Sequence, residues 1–128
     1  MWKKVDINEI NAGILAYLGD AVYEQRIRKY LICKIKKNAN TVQKEAIKYV
    51  SATAQASFLN KLLEKQCLTD EELYTVRRAR NYKTNSKPKH VDIKTYKKAT
   101  ALEALFGMLY LKEDYGRIEY FIKEIVGE

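Results

Sequence analysis

Proline and histidine each occur once in the 128 residues, glycine five times and cysteine twice. An all-β fold needs many turn-makers, so this scarcity favours helices. Cys33 and Cys67 stand apart with no CxxC, and His90 is the single histidine, which argues against a zinc site or disulfide framework. Two free thiols fit a reducing cytosol, and the expected location is cytoplasmic. No apolar run approaches the ~18 residues that span a bilayer. Trp2-Lys3-Lys4 leads into polar sequence, so neither a secretory leader nor a membrane partner is expected.

What is present is a 47% hydrophobic chain with a net charge of +8. Its length suits one domain over residues 1–128, burying roughly two-thirds of the unfolded surface. The charge is unevenly placed. Residues 73–98 hold nine bases and one acid, Asp92, while the rest of the chain is neutral. A neutral body with one basic segment is the footprint of a polyanion-binding surface, although a solvated charged face has the same composition.

Apolar periodicity predicts an all-α fold. Ile14, Leu15, Leu18, Val22 and Ile27 mark a long helix over 11–32, and Val42, Ala46, Ile47 and Val50 a shorter one. Ser51 or Thr53 caps the next, whose face carries Ala54, Phe58, Leu59, Leu62 and Leu63. Thr69 with Glu72 reads as a capping box opening a helix to about Arg80. Residues 81–91 form a basic loop, Asp92 caps a helix over 93–112, and Tyr115–Val126 makes the last.

Two acids interrupt apolar stretches. Asp20 follows Leu18-Gly19, and Glu103 lies between Leu102 and Ala104, with Ala99 and Gly107 one turn away on either side. A carboxylate against apolar surface needs pairing, hydrogen bonding or a metal. Small neighbours let another helix, a cation or a substrate approach, and oxygen ligands suit Mg²⁺. An ion pair with Lys or Arg, or simple exposure, satisfies the same spacing. Glu24 lies one turn beyond Asp20 as a candidate auxiliary acid. Asp92 is about 16 Å from Glu103 along the helix, too far to share an ion.

At these two places the sequence resembles a known family. Leu18-Gly19-Asp20-Ala21-Val22 is similar to the signature of ribonuclease III. Thr100-Ala101-Leu102-Glu103-Ala104-Leu105-Phe106-Gly107 is similar to that family's second acidic motif. Val50-Ser51-Ala52 with Gln55-Ala56, Arg78-Ala79-Arg80-Asn81 with Lys83, and Asp92 with Thr95-Tyr96 extend the likeness to the Mini-ribonuclease III (Mini-III) branch. That branch has the ribonuclease III-type helical endonuclease domain without a separate RNA-binding domain, and none is expected in this chain. In two places the chain departs from ordinary ribonuclease III, having Ala16 and Thr100 where that family has a glutamate and an aspartate. The Mini-III branch shares this reduced set.

The resemblance implies an Mg²⁺-dependent endoribonuclease that hydrolyses double-stranded RNA with water as nucleophile, leaving 5′-phosphate and 3′-hydroxyl ends. Asp20 and Glu103 are then catalytic and metal-holding. Precursor 23S ribosomal RNA is the implied substrate, a ribosomal protein a candidate helper, and a homodimer the implied assembly. The aliphatic breadth of residues 14–27 independently suits an interface between two copies. Arg78, Arg80, Asn81 and Lys83 are candidate contacts to A-form RNA, which is read by shape and backbone. Ser51 and Gln55, one turn apart, are candidates for sugar or phosphate contact, with capping and exposure as the other readings. Tyr82 and Tyr96 are the tyrosines placed to meet RNA. The rival reading is a catalytically inactive double-stranded-RNA-binding dimer, resting on Ala16 and Thr100.

Overall fold

The computed structural model describes residues 6–35, 38–83 and 91–128. Among them lie six α-helices and no strand: α1 (Ala12–Ile35), α2 (Ala39–Val50), α3 (Ala52–Glu64), α4 (Asp70–Arg80), α5 (Ile93–Leu111) and α6 (Tyr115–Val126). A single 3-10 turn, Ile7–Glu9, precedes α1. Helix starts follow local chemistry. The side chains of Asn38, Ser51 and Asp92 accept N–H bonds from Thr41, Ala54 and Thr95 respectively. Thr69 and Glu72 form the reciprocal capping box.

Helix α5 is the axis of the molecule. From Ala104 to Leu109 every residue is buried, a helix apolar all round, enclosed by α1, α3, α4 and α6. Its Phe106 ring lies 5.2 Å from Tyr23 of α1 and 6.4 Å from Phe121 of α6, centroid to centroid. Such tilted aromatic pairs add to the area they bury.

Helices α1 and α5 cross with their backbones touching. A Cβ built on Gly19 would lie 1.5 Å from the Glu103 carbonyl oxygen, and one on Gly107 would lie 2.0 Å from that of Leu15. Only glycine permits this approach. The two glycines of the sequence motifs therefore make the crossing, and Asp20 and Glu103 are brought to it as their neighbours. Close approach also resets the buried face of α1. Ala12, Ala16 and Gly19 join Leu15, Val22 and Ile27 inside. Ile14, expected among the core residues, is 57% exposed, because the small residues take the contact surface.

At the far end of α4, Arg117 of α6 clasps Glu72, with Nε to Oε2 at 2.8 Å and Nη2 to Oε1 at 2.6 Å. The same Nη2 donates to the Cys67 carbonyl at 3.0 Å, and Oε1 of Glu72 also accepts from the Thr69 N–H at 2.8 Å. Burial opposes ionisation of Glu72. The hydrogen bonds from Arg117 and Thr69 outweigh it and hold the carboxyl below its ordinary range.

A candidate active site and nucleic-acid interface

Asp20 and Glu103 share one wall of a cavity of about 360 Å³, whose other lining includes Ala16, Thr100, Tyr82 and Tyr96. Asp20 is exposed and Glu103 half-buried. Burial raises the Glu103 carboxyl first, and hydrogen bonding to Asp20 and the Asp20 charge raise it further. The Gln55 amide opposes the shift and Glu24 adds to it, leaving Glu103 pushed up to about 9. Tyr23 is raised mainly by burial, with Tyr49 and Glu103 contributing, while its hydroxyl donates to the Tyr49 carbonyl at 2.7 Å.

Among the described residues neither Asp20 nor Glu103 has a salt-bridge partner. The ion-pair alternative is thus not what the structure shows. Two adjacent carboxyl groups without an ion-pair partner fit a hard dication, which binds through one or two carboxylates and keeps water. No group of three or more acidic, histidine or cysteine side chains with a geometry suited to a metal occurs among the described residues. Ala16 and Thr100 do occupy the same wall, and the Thr100 hydroxyl is turned back, donating to the Tyr96 carbonyl at 3.0 Å. Glu24, the auxiliary acid of the sequence reading, pairs with Arg28 at 3.0 Å.

The candidate RNA contacts divide. Arg80, Asn81 and Lys83 are exposed. Arg80 and Asn81 line a groove of about 510 Å³ with Arg77, Lys94, Lys97 and Lys98, between the end of α4 and the start of α5. Arg78 points the other way. Its Nη2 donates to the Ile10 carbonyl, its Nη1 is buried without a hydrogen-bond partner among the described residues, and its guanidinium lies 5.8 Å from the Tyr74 ring centroid. It fastens α4 to the entry of α1.

Ser51 spends its hydroxyl on capping α3, accepting from the Ala54 N–H at 3.2 Å. Gln55 is 2% exposed and donates to the Val50 carbonyl at 3.3 Å. Buried beneath Glu103, it has no surface left for a duplex, so its expected RNA contact gives way to a place beside the acid. Arg77, Lys94, Lys97 and Lys98 join the groove without being among the contacts expected from sequence. Their helical spacing was the available signal, since 77 with 80 and 94 with 97 and 98 share faces. Residues 84–90, with Lys87, Lys89 and His90 of the expected basic loop, lie outside the described residues.

Beside the cavity, α1 exposes Tyr17 (84%) and Ile14, an apolar strip flanking Asp20. No helix among the described residues is long and apolar enough to cross a membrane.

The Ribonuclease III domain model matches residues 14–114, which include both carboxylates and the basic groove. Mini-ribonuclease 3 of Staphylococcus aureus is 41% identical over 120 residues, covering 94% of this chain and 90% of that protein. Mini-ribonuclease 3 of Streptococcus pneumoniae is 42% identical, covering 92% of each. A crystal structure of protein FN1578 from Fusobacterium nucleatum superposes with a TM-score of 0.84 at 34% identity, covering 95% of this chain and 96% of that one. The chain belongs to the ribonuclease III family of endoribonucleases, in its Mini-ribonuclease 3 branch.

Proposed function

We propose that the protein hydrolyses double-stranded RNA in an Mg²⁺-dependent reaction at Asp20 and Glu103, leaving 5′-phosphate and 3′-hydroxyl ends. One observation carries the reading: two carboxyls without an ion-pair partner among the described residues face a cavity that adjoins a basic groove. Asp20 and Glu103 would hold the ion. When bound, Mg²⁺ supplies Lewis acidity, favouring ionisation of water and offsetting charge on the phosphate. The chain's own work is positional. The glycine crossing fixes the spacing of the acids, Gln55 supports Glu103 from beneath, and the bases of α4 and α5 hold the RNA backbone.

The substrate and assembly proposals rest on further support. A-form duplexes are recognised through backbone and shape, which suits a groove of lysines and arginines. Precursor 23S ribosomal RNA, with a ribosomal protein as helper, rests on the family resemblance, as does action in the cytoplasm. The exposed Ile14 and Tyr17 support a homodimer in which α1 meets its twofold mate, setting two sites on opposite strands.

The test is cleavage of an end-labelled RNA duplex by the wild-type protein, beside a DNA duplex and single-stranded RNA, with Mg²⁺ or EDTA. Cutting of duplex RNA alone, abolished by EDTA, is the expected result. Duplex binding without cutting, on a precursor ribosomal RNA stem as well, would favour an inactive RNA-binding dimer instead.

A further inference from the structure

We propose that Lys97 is a catalytic residue, donating a hydrogen bond to a non-bridging oxygen of the scissile phosphodiester held beside Asp20 and Glu103. The inference rests on the nuclease reading above and assigns a role to a base outside the carboxylate pair.

The placement of Lys97 is singular. It lines the cavity with Asp20 and Glu103, and it lines the groove with Arg77, Arg80 and Lys94. Among the described residues it alone borders both spaces, and it is the only base among those that line the cavity. An RNA backbone following the groove therefore reaches the acids past this side chain. Lys97 is half-buried and has no ion-pair partner among the described residues, so its ammonium is available to a phosphate. It precedes Glu103 by six residues, about 9 Å along the helix axis, a gap a lysine side chain and a phosphate group together span.

Charge balance gives the residue work to do. Two carboxylates offset one dication, and Ala16 and Thr100 supply no further acid on the wall. The phosphodiester already bears one negative charge, and attack on phosphorus adds a second. In hydrolysis the water oxygen forms a bond to phosphorus, the bond from phosphorus to the 3′-oxygen breaks, and that oxygen takes up a proton. Nothing is oxidised or reduced, and Lys97 neither gains nor loses a proton overall. Its ammonium meets charge that grows toward the transition state, which is where a fixed donor accelerates a reaction. The other groove bases meet phosphates whose charge does not change, so they contribute affinity.

Single-turnover cleavage of duplex RNA at saturating protein separates these roles, with duplex affinity measured alongside by gel shift in the Asp20→Asn background. Lys97→Ala should lower the saturated rate by about 100-fold, the size expected for loss of one transition-state donor. Its affinity should fall by less than about tenfold, the share of one phosphate contact in the salt-dependent total. Lys97→Gln, which keeps an amide donor on a shorter, uncharged side chain, should lose as much, and Lys97→Arg less. Lys123→Ala on α6 controls for net charge and should cut as wild type does. Melting curves verify that each variant is folded. A wild-type protein that cuts, with Lys97→Ala or Lys97→Gln equally fast at saturation, overturns the role of Lys97 alone. A wild-type protein that cuts nothing overturns the nuclease reading and this assignment together.

Discussion

Glu72 and Glu103 sit on neighbouring helices, both withdrawn from water, and the fold treats them in opposite ways. Glu72 receives Arg117, the Thr69 N–H and a full set of hydrogen bonds, and its carboxyl is held below the ordinary range. Glu103 receives another acid, Asp20, and is pushed up to about 9 by burial and that neighbour. A carboxylate satisfied from within the chain pins helices together. One left with a like charge at a cavity wall is unfinished until something positive arrives. The contrast separates a structural acid from a functional one without appeal to sequence motifs, and it holds where both residues are glutamate on a helix.

The comparison is broken most severely at the crossing that creates it. Gly19→Ala would drive a methyl group into the Glu103 carbonyl, where a Cβ sits 1.5 Å from the oxygen. The helices must separate, and a loss above about 4 kcal/mol in chemical denaturation is expected. A near-normal midpoint would mean the contact is dispensable.

Glu72→Gln and Glu103→Gln then test the contrast itself. The first strands Arg117 and should cost about 3 kcal/mol, the low end for a broken buried pair, because Arg117 keeps a 28% exposed side chain. The second exchanges a carboxyl that is already neutral near pH 7 for a neutral amide, and should leave stability unchanged or slightly higher. Equal losses in the two variants would erase the distinction.

Acid sharpens the first of these. Glu72 titrates lower in the folded chain than when unfolded, so its stabilisation is complete above about pH 4.5 and disappears as pH falls through the lower folded value. The stability gap between wild type and Glu72→Gln should hold steady near neutrality and close in acid. A gap indifferent to pH would remove the ion pair from the explanation.

The smallest expected effects separate two arginines on one helix. Arg78→Ala should lower stability by about 1 kcal/mol through its bond to the Ile10 carbonyl. Arg80→Ala should leave melting unchanged and weaken duplex affinity several-fold, with a shallower salt dependence. Reversed outcomes would exchange their roles.

Much of this architecture is legible in the chain. The capping box at Thr69 and Glu72, the caps at Asn38, Ser51 and Asp92, and the last helix at Tyr115–Val126 are local chemistry, fixed by residues within one turn. The odd surroundings of Asp20 and Glu103 are legible for a similar reason, since small residues beside an acid foretell close approach. Periodicity names which residues share a face and does not say what covers that face. Ile14 looks apolar enough for the core yet is displaced outward by a crossing that small residues make possible. Arg78 and Arg80 look alike in sequence, but only the structure shows that Ile10 lies within reach of one. Gln55 likewise hides its position, because an amide reads as surface until its burial beneath Glu103 is seen.

If Asp20 and Glu103 act as one catalytic pair, duplex RNA cleavage in Mg²⁺ by Asp20→Asn and Glu103→Gln beside wild type measures it most directly. Loss of cutting by at least about 1,000-fold in each, with duplex affinity and melting retained, is the predicted result. Cutting at the wild-type rate by either folded variant would contradict it.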